Sequence, residues 1–99
     1  MPRYLIERTF SVPEGEMPRV GTRSRRLITE EFTDIVWEHS HVVVEDDGLV
    51  STYCVYEAPD EEALRGHAIA LGQHEYWVQE IVGDVTPADF PLERDELAS

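Results

Sequence analysis

The chain has 99 residues, 41 % of them hydrophobic and 29 % charged, with 21 Asp plus Glu against eight Arg and no Lys, for a formal net charge of −13 at pH 7. That length supports one core, and the composition excludes wholesale disorder. The acid excess repels phosphate backbones and anionic lipid surfaces, so neither nucleic acid nor a membrane is expected as a partner, and a single cysteine, Cys54, excludes a disulfide framework.

The first apolar stretch, "YLIERTF" (4–10), carries β-branched and aromatic residues with charges between them. "SVPEGE" follows with Pro and Gly punctuation, so a strand is expected to end near Phe10. Arg3, Glu7 and Arg8 break this stretch, which argues against a secretory leader, and no run of about 18 apolar residues occurs to span a bilayer. A soluble, cytoplasmic protein is expected. From Met17, apolar residues recur as Val20, Leu27, Ile28 and Phe32 with Ser24 in the gap, the spacing of one helix face, and Pro18 suits a first helical turn. Arg19, Arg23, Arg25 and Arg26 crowd into this segment and read as a solvated face.

"DIVWEHSHVVVE" (34–45) and "LVSTYCVYE" (49–57) are rich in Val, Tyr and Trp and flank Asp47-Gly48, the signal for a two-residue hairpin turn. "APDEEALRGHAIALG" then predicts a second helix. Asp60 is its N-cap, Glu61 and Glu62 face the dipole favourably, Gly72 ends it, and Ala63, Leu64, Ala68 and Leu71 form its apolar stripe. His67 lies on or beside that stripe, and His74 falls in the connection that follows. A fourth strand is expected over 76–85, within a domain spanning 1–85. Residues 86–99 read as an acidic C-terminal arm or frayed tail.

The order β-α-β-β-α-β is the ferredoxin-like pattern: an α+β sandwich with a four-stranded antiparallel sheet and two helices on one face. The other face is left uncovered by its own chain, and a sheet-to-sheet homodimer in a dimeric α/β assembly is the expected cover. With a two-residue turn, paired positions place Trp37, His39, His41, Val43, Thr52, Cys54 and Tyr56 on one sheet face, with Val42, Val44, Tyr53 and Val55 on the other. The second set makes the better core, so the first is expected on the open side, with Glu38 and Glu57 facing away from the histidines.

His39, His41 and Cys54 are then neighbours, and imidazole with thiolate suits nickel, zinc or copper. The plain alternative is that they are the polar side of a half-exposed strand. Neither a Gly-rich phosphate loop, a CxxC pair nor a Gly-x-Ser-x-Gly elbow occurs, which removes the common nucleotide, zinc-knuckle and hydrolase readings.

"YCVYEAPD" (53–60), "EALRGH" (62–67) and Gly72, with Trp37, Ser40 and the "YLIER" start (4–8), resemble the small nickel-binding, ferredoxin-like proteins of actinobacteria and their relatives of unknown function. The resemblance spans most of residues 3 to 85. It implies a dimeric α+β protein and points to Cys54 and His67 as the positions matching the family's metal pattern.

The expectation is therefore a homodimer that binds a transition metal, nickel preferred over zinc or copper, for homeostasis or sequestration, with no organic cofactor. His39, His41, Cys54 and His67 are the expected ligands, and Trp37, Tyr56 and Glu57 their surroundings. A competing reading is a small-molecule enzyme of the dimeric α/β-barrel type, with a cavity on the open sheet face, His39 or His41 as acid–base and Trp37 and Tyr56 as apolar wall. A third is an interaction module without chemistry.

Overall fold

The structure is a computed structural model that describes residues 1–72, 74–90 and 92. Strand β1 (Arg3–Pro13) turns Tyr4, Ile6, Arg8 and Phe10 inward and alternates them with more exposed residues, the period of two that a pleated strand imposes. It runs three residues past the expected end, because its register against the third strand is irregular between Thr9 and Pro13 and the chain is carried on through Val12. A short 3-10 turn (Glu14–Glu16) leads into α1 (Met17–Glu30), with Pro18 in the first turn as expected. Ser24 is buried on its inner face, Ile28 and Phe32 pack against the core, and the four crowded arginines are exposed.

Strands β2 (Val36–Val44) and β3 (Leu49–Glu57) form an antiparallel hairpin. Helix α2 (Glu61–Leu71) starts at Asp60, whose carboxylate accepts from the Ala63 N–H at 2.9 Å, and stops at Gly72, whose φ of 81° is open to glycine at little cost. Strand β4 (His74–Ile81) begins two residues earlier and ends four residues sooner than expected, so His74 lies in the sheet rather than in a loop. A 3-10 turn, Pro87–Asp89, opens the expected C-terminal arm; residues 91 and 93–99 of that arm lie outside the described residues.

The sheet order is β2-β3-β1-β4, antiparallel throughout, with both helices on one face: the ferredoxin-like arrangement expected from the element order. Tyr4, Ile6, Ile35, Cys54, Tyr56 and Leu64 form the core between the layers. Among the described residues, no helix is long and apolar enough to cross a membrane.

The hairpin corrects the expected register. Glu45 N–H bonds to Leu49 O and Gly48 N–H to Glu45 O, both at 2.9 Å, with Gly48 at φ 83°, so the loop holds three residues, Asp46 to Gly48. A turn closed by a left-handed glycine is the usual three-residue solution, and one residue of slip exchanges the faces of a strand. Cys54 therefore faces Ser40, not His41, and lies beside Ile6 on the helix side; Tyr56 and Thr52 point the same way. A bulge between Trp37 and His39 brings Trp37 to that side too, against Tyr56. His39, His41 and Val43 remain on the open side, joined there by Tyr53, Val55 and Glu57.

Candidate functional site

The register divides the four histidines into two pairs. His39 and His41 alternate along β2, the edge strand of the sheet, so both sit at open-face positions, with His39 also at the margin of a cavity on the helix side. Their centroids are 5.3 Å apart with ring planes at 81°, both residues are exposed, and neither ring joins a side-chain hydrogen bond among the described residues. Next to them, Glu38 pairs with Arg3 at 2.8 Å, and Arg3 also binds Asp84. The hydrogen bond from Arg3 holds the Glu38 carboxyl below the usual carboxylate range. Among the described residues, no three His, Cys, Asp or Glu side chains converge as a metal-binding group.

His67 and His74 meet on Arg8, in the layer between sheet and helices. Arg8 occupies an inward position of β1 and is 1 % exposed. Its Nη1 donates to His74 Nε2 at 2.7 Å and its Nη2 to His67 Nδ1 at 3.2 Å. A guanidinium has donors only, so each of these ring nitrogens must present a lone pair. The remaining proton of His67 therefore sits on Nε2 and is donated to Ser24 Oγ at 3.2 Å; that of His74 sits on Nδ1 and goes to the Gly72 carbonyl at 3.0 Å. Both imidazoles are neutral in this arrangement. Burial, reinforced by the Arg8 charge, pushes His67 down to about 4, and burial lowers His74 as well. Phe10 stacks on His74 at 4.8 Å, and the Arg8 guanidinium lies 5.7 Å from the centre of the Tyr56 ring. Burial pushes the Tyr56 hydroxyl up to about 12.

Beside this cluster a cavity of about 600 Å³ opens between α1 and the helix-facing side of the sheet. Its polar wall includes Arg8, Ser24, Thr52 and Tyr56; Phe10, Val20, Trp37 and Leu71 supply much of its apolar wall. This cavity, lined by Trp37 and Tyr56, lies on the helix side, whereas on the open sheet face, where a cavity was expected, Leu5, Glu7, Tyr53, Trp77 and Gln79 line a smaller one of about 190 Å³.

The expected ligands are not brought together. His39 and His41 share a face, Cys54 is buried across the sheet with its thiol donating to Thr52 Oγ1 at 3.4 Å, and His67 spends both ring nitrogens on Arg8 and Ser24. Glu57, expected to face away from the histidines, shares their side. Sequence reasoning missed Arg8, although the inward series Tyr4, Ile6, Arg8, Phe10 contains the signal: a cation at a position the strand period assigns to the core.

The topology and layering define an α+β protein of the ferredoxin-like class. Within that class, the family model described as "Nickel responsive protein SCO4226-like" matches residues 4–81, and the chain belongs to this family. No protein of curated function matches it significantly. Among solved structures it is similar to the de novo designed protein Foldit4, at 13 % identity and TM-score 0.58 over 85 % of this chain and 100 % of that one. It is also similar to an unknown protein from Galdieria sulphuraria, at 13 % identity and TM-score 0.59 over 87 % of this chain and 48 % of that one. A formyltetrahydrofolate deformylase from Burkholderia mallei matches at 13 % identity and TM-score 0.53, with 81 % of this chain and 28 % of the enzyme covered. The chain thus spans about half of the Galdieria protein and under a third of the deformylase, and these likenesses concern the fold alone.

Proposed function

We propose that the protein is a cytoplasmic homodimer that binds a divalent transition metal, nickel in preference to zinc or copper, for homeostasis or sequestration rather than catalysis. The observation that carries this reading is the His39–His41 pair: two exposed imidazoles 5.3 Å apart, on one face of an edge strand, with ring nitrogens that no side chain engages among the described residues. Membership of a family described as nickel-responsive supports the choice of metal. Neutral imidazole suits nickel, zinc and copper, and the net charge of −13 raises the local concentration of cations. The donor set therefore fits a metal in part: His39 and His41 would hold it, and the remaining positions fall to water or to a second copy.

A second copy has a surface to cover. The open face presents Leu5, Tyr53 and Val55 in its middle strands, with Trp77 half-exposed on β4. Cys54 and His67 are left out of the proposed ligand set. They lie on the other side of the sheet, and the Arg8 cation beside His67 repels a second cation.

The test is equilibrium dialysis of metal-stripped protein against nickel, zinc and copper, with light scattering to count subunits. Wild type should bind nickel as a dimer, and the double variant His39→Ala/His41→Ala should lose about tenfold or more in affinity. Both residues are exposed, so the fold is expected to survive. Absence of nickel binding, or binding undiminished in the double variant, would overturn the reading.

A further inference from the structure

We propose that the cavity between α1 and the sheet is a second, separate site, for a small monocarboxylate with an apolar body whose carboxylate sits against Arg8. Charge is unbalanced at this end of the cavity. Arg8 is almost wholly buried, yet among the described residues no carboxylate lies within ion-pair distance of it; its partners are His67 and His74, both neutral. A guanidinium taken out of water without a counter-ion is costly, and the imidazoles orient it without neutralising it. It has five N–H donors, of which they use two, and its planar fork matches a carboxylate. The site that could supply the missing negative charge is the cavity it lines.

The rest of the wall selects the kind of anion. Phe10, Val20, Trp37 and Leu71 offer apolar surface, while the hydroxyls of Ser24, Thr52 and Tyr56 are few and partly engaged. This suits one charged head on a hydrocarbon or aromatic body better than a sugar or a polyphosphate. Glu14, Glu38 and His39 also line the cavity; all three are exposed, and Glu38 is already paired with Arg3. A volume of about 600 Å³ suits a small organic molecule. Gly21 adds an independent observation. It lies inside α1, where glycine is a poor helix former, and it lines the cavity, and a Cβ there would meet nothing within 4 Å. The helix thereby keeps open a space that a side chain would reduce.

Arg8→Met would strip two buried imidazoles of their donor and endanger folding, so Gly21→Leu is the variant that carries the test. Full-length protein, freed of metal with a chelator, is titrated with benzoate, phenylacetate and hexanoate, and with benzamide as the neutral match, following the melting temperature and the NMR signals of the Arg8 side chain. At least one acid should raise the melting temperature saturably and shift the Arg8 signals, with benzamide weaker than benzoate by about tenfold or more. Gly21→Leu should weaken the acid by about tenfold or more through loss of space. The single variant His41→Ala, at a residue that does not line the cavity, should bind the acid as wild type does while its nickel affinity falls, which separates this site from the metal reading. Failure of all three acids, equal binding of benzamide and benzoate, or undiminished binding by Gly21→Leu would overturn the proposal.

Discussion

Arg8 Nη2 stands 3.2 Å from His67 Nδ1, and because arginine only donates, this contact decides where the histidine keeps its proton. His67 is thereby the neutral Nε2–H tautomer, bonded onward to Ser24, and protonating it would set a second cation against the first. The groups around it are Arg8 on β1, Tyr56 on β3, Ser24 on α1, Phe32 after α1 and His74 on β4.

Stability should consequently fall in mild acid. The folded state holds His67 at about 4, below the value of about 6.5 for a free imidazole, so between these pH values the unfolded chain binds a proton that the folded chain refuses. The stabilisation is complete above pH ~6.5 and is lost as pH falls towards 4, a contribution of up to about 3 kcal/mol. Urea unfolding of wild type and His67→Gln at pH 7.5, 6 and 5 checks this. The variant should show a shallower acid loss, and equal slopes would refute the role given to His67.

Cys54 should be nearly inert in the native protein. Its thiol is buried in the wall of the cavity on the helix side and bonded to Thr52, so a disulfide reagent too bulky for the cavity reaches it only when the structure opens. The reaction should be about a hundredfold or more slower than in urea-unfolded chain. Fast native labelling that a cavity ligand does not slow would mean that β3 is in the other register, with Cys54 beside the surface histidines.

Two glycines should respond in opposite directions to alanine. Gly48 sits at φ 83° in the hairpin loop, where a Cβ is strained, and Gly48→Ala should cost about 1 kcal/mol. Gly21 is in a helix with open space around it, so Gly21→Ala should gain up to about 1 kcal/mol. Denaturant midpoints at constant m-value measure both.

The cap of α2 gives a further check. Asp60 accepts from the Ala63 N–H at 2.9 Å, and Asp60→Ala should cost about 1 kcal/mol, with Asp60→Asn close to wild type. Equal losses in the two variants would assign the effect to charge rather than to the hydrogen bond.

By itself, the sequence determined the features that depend on local chemistry. Periods of two and of 3.6, the Asp60 cap and the Gly72 stop were enough for the β-α-β-β-α-β order, and that order admits few chain paths. It also carried the His39–His41 pair, because alternate residues of a strand share a face whatever their partners. Only the tertiary structure decided which face that is. One extra loop residue, Asp46, and the bulge before His39 reversed the pairing, and their cost or gain depends on how a whole strand fits its neighbours. The Arg8–His67–His74 cluster was equally out of reach: its members lie on β1, α2 and β4, separated by up to 66 positions, and only the packing of helices on the sheet brings one cation and two neutral imidazoles together.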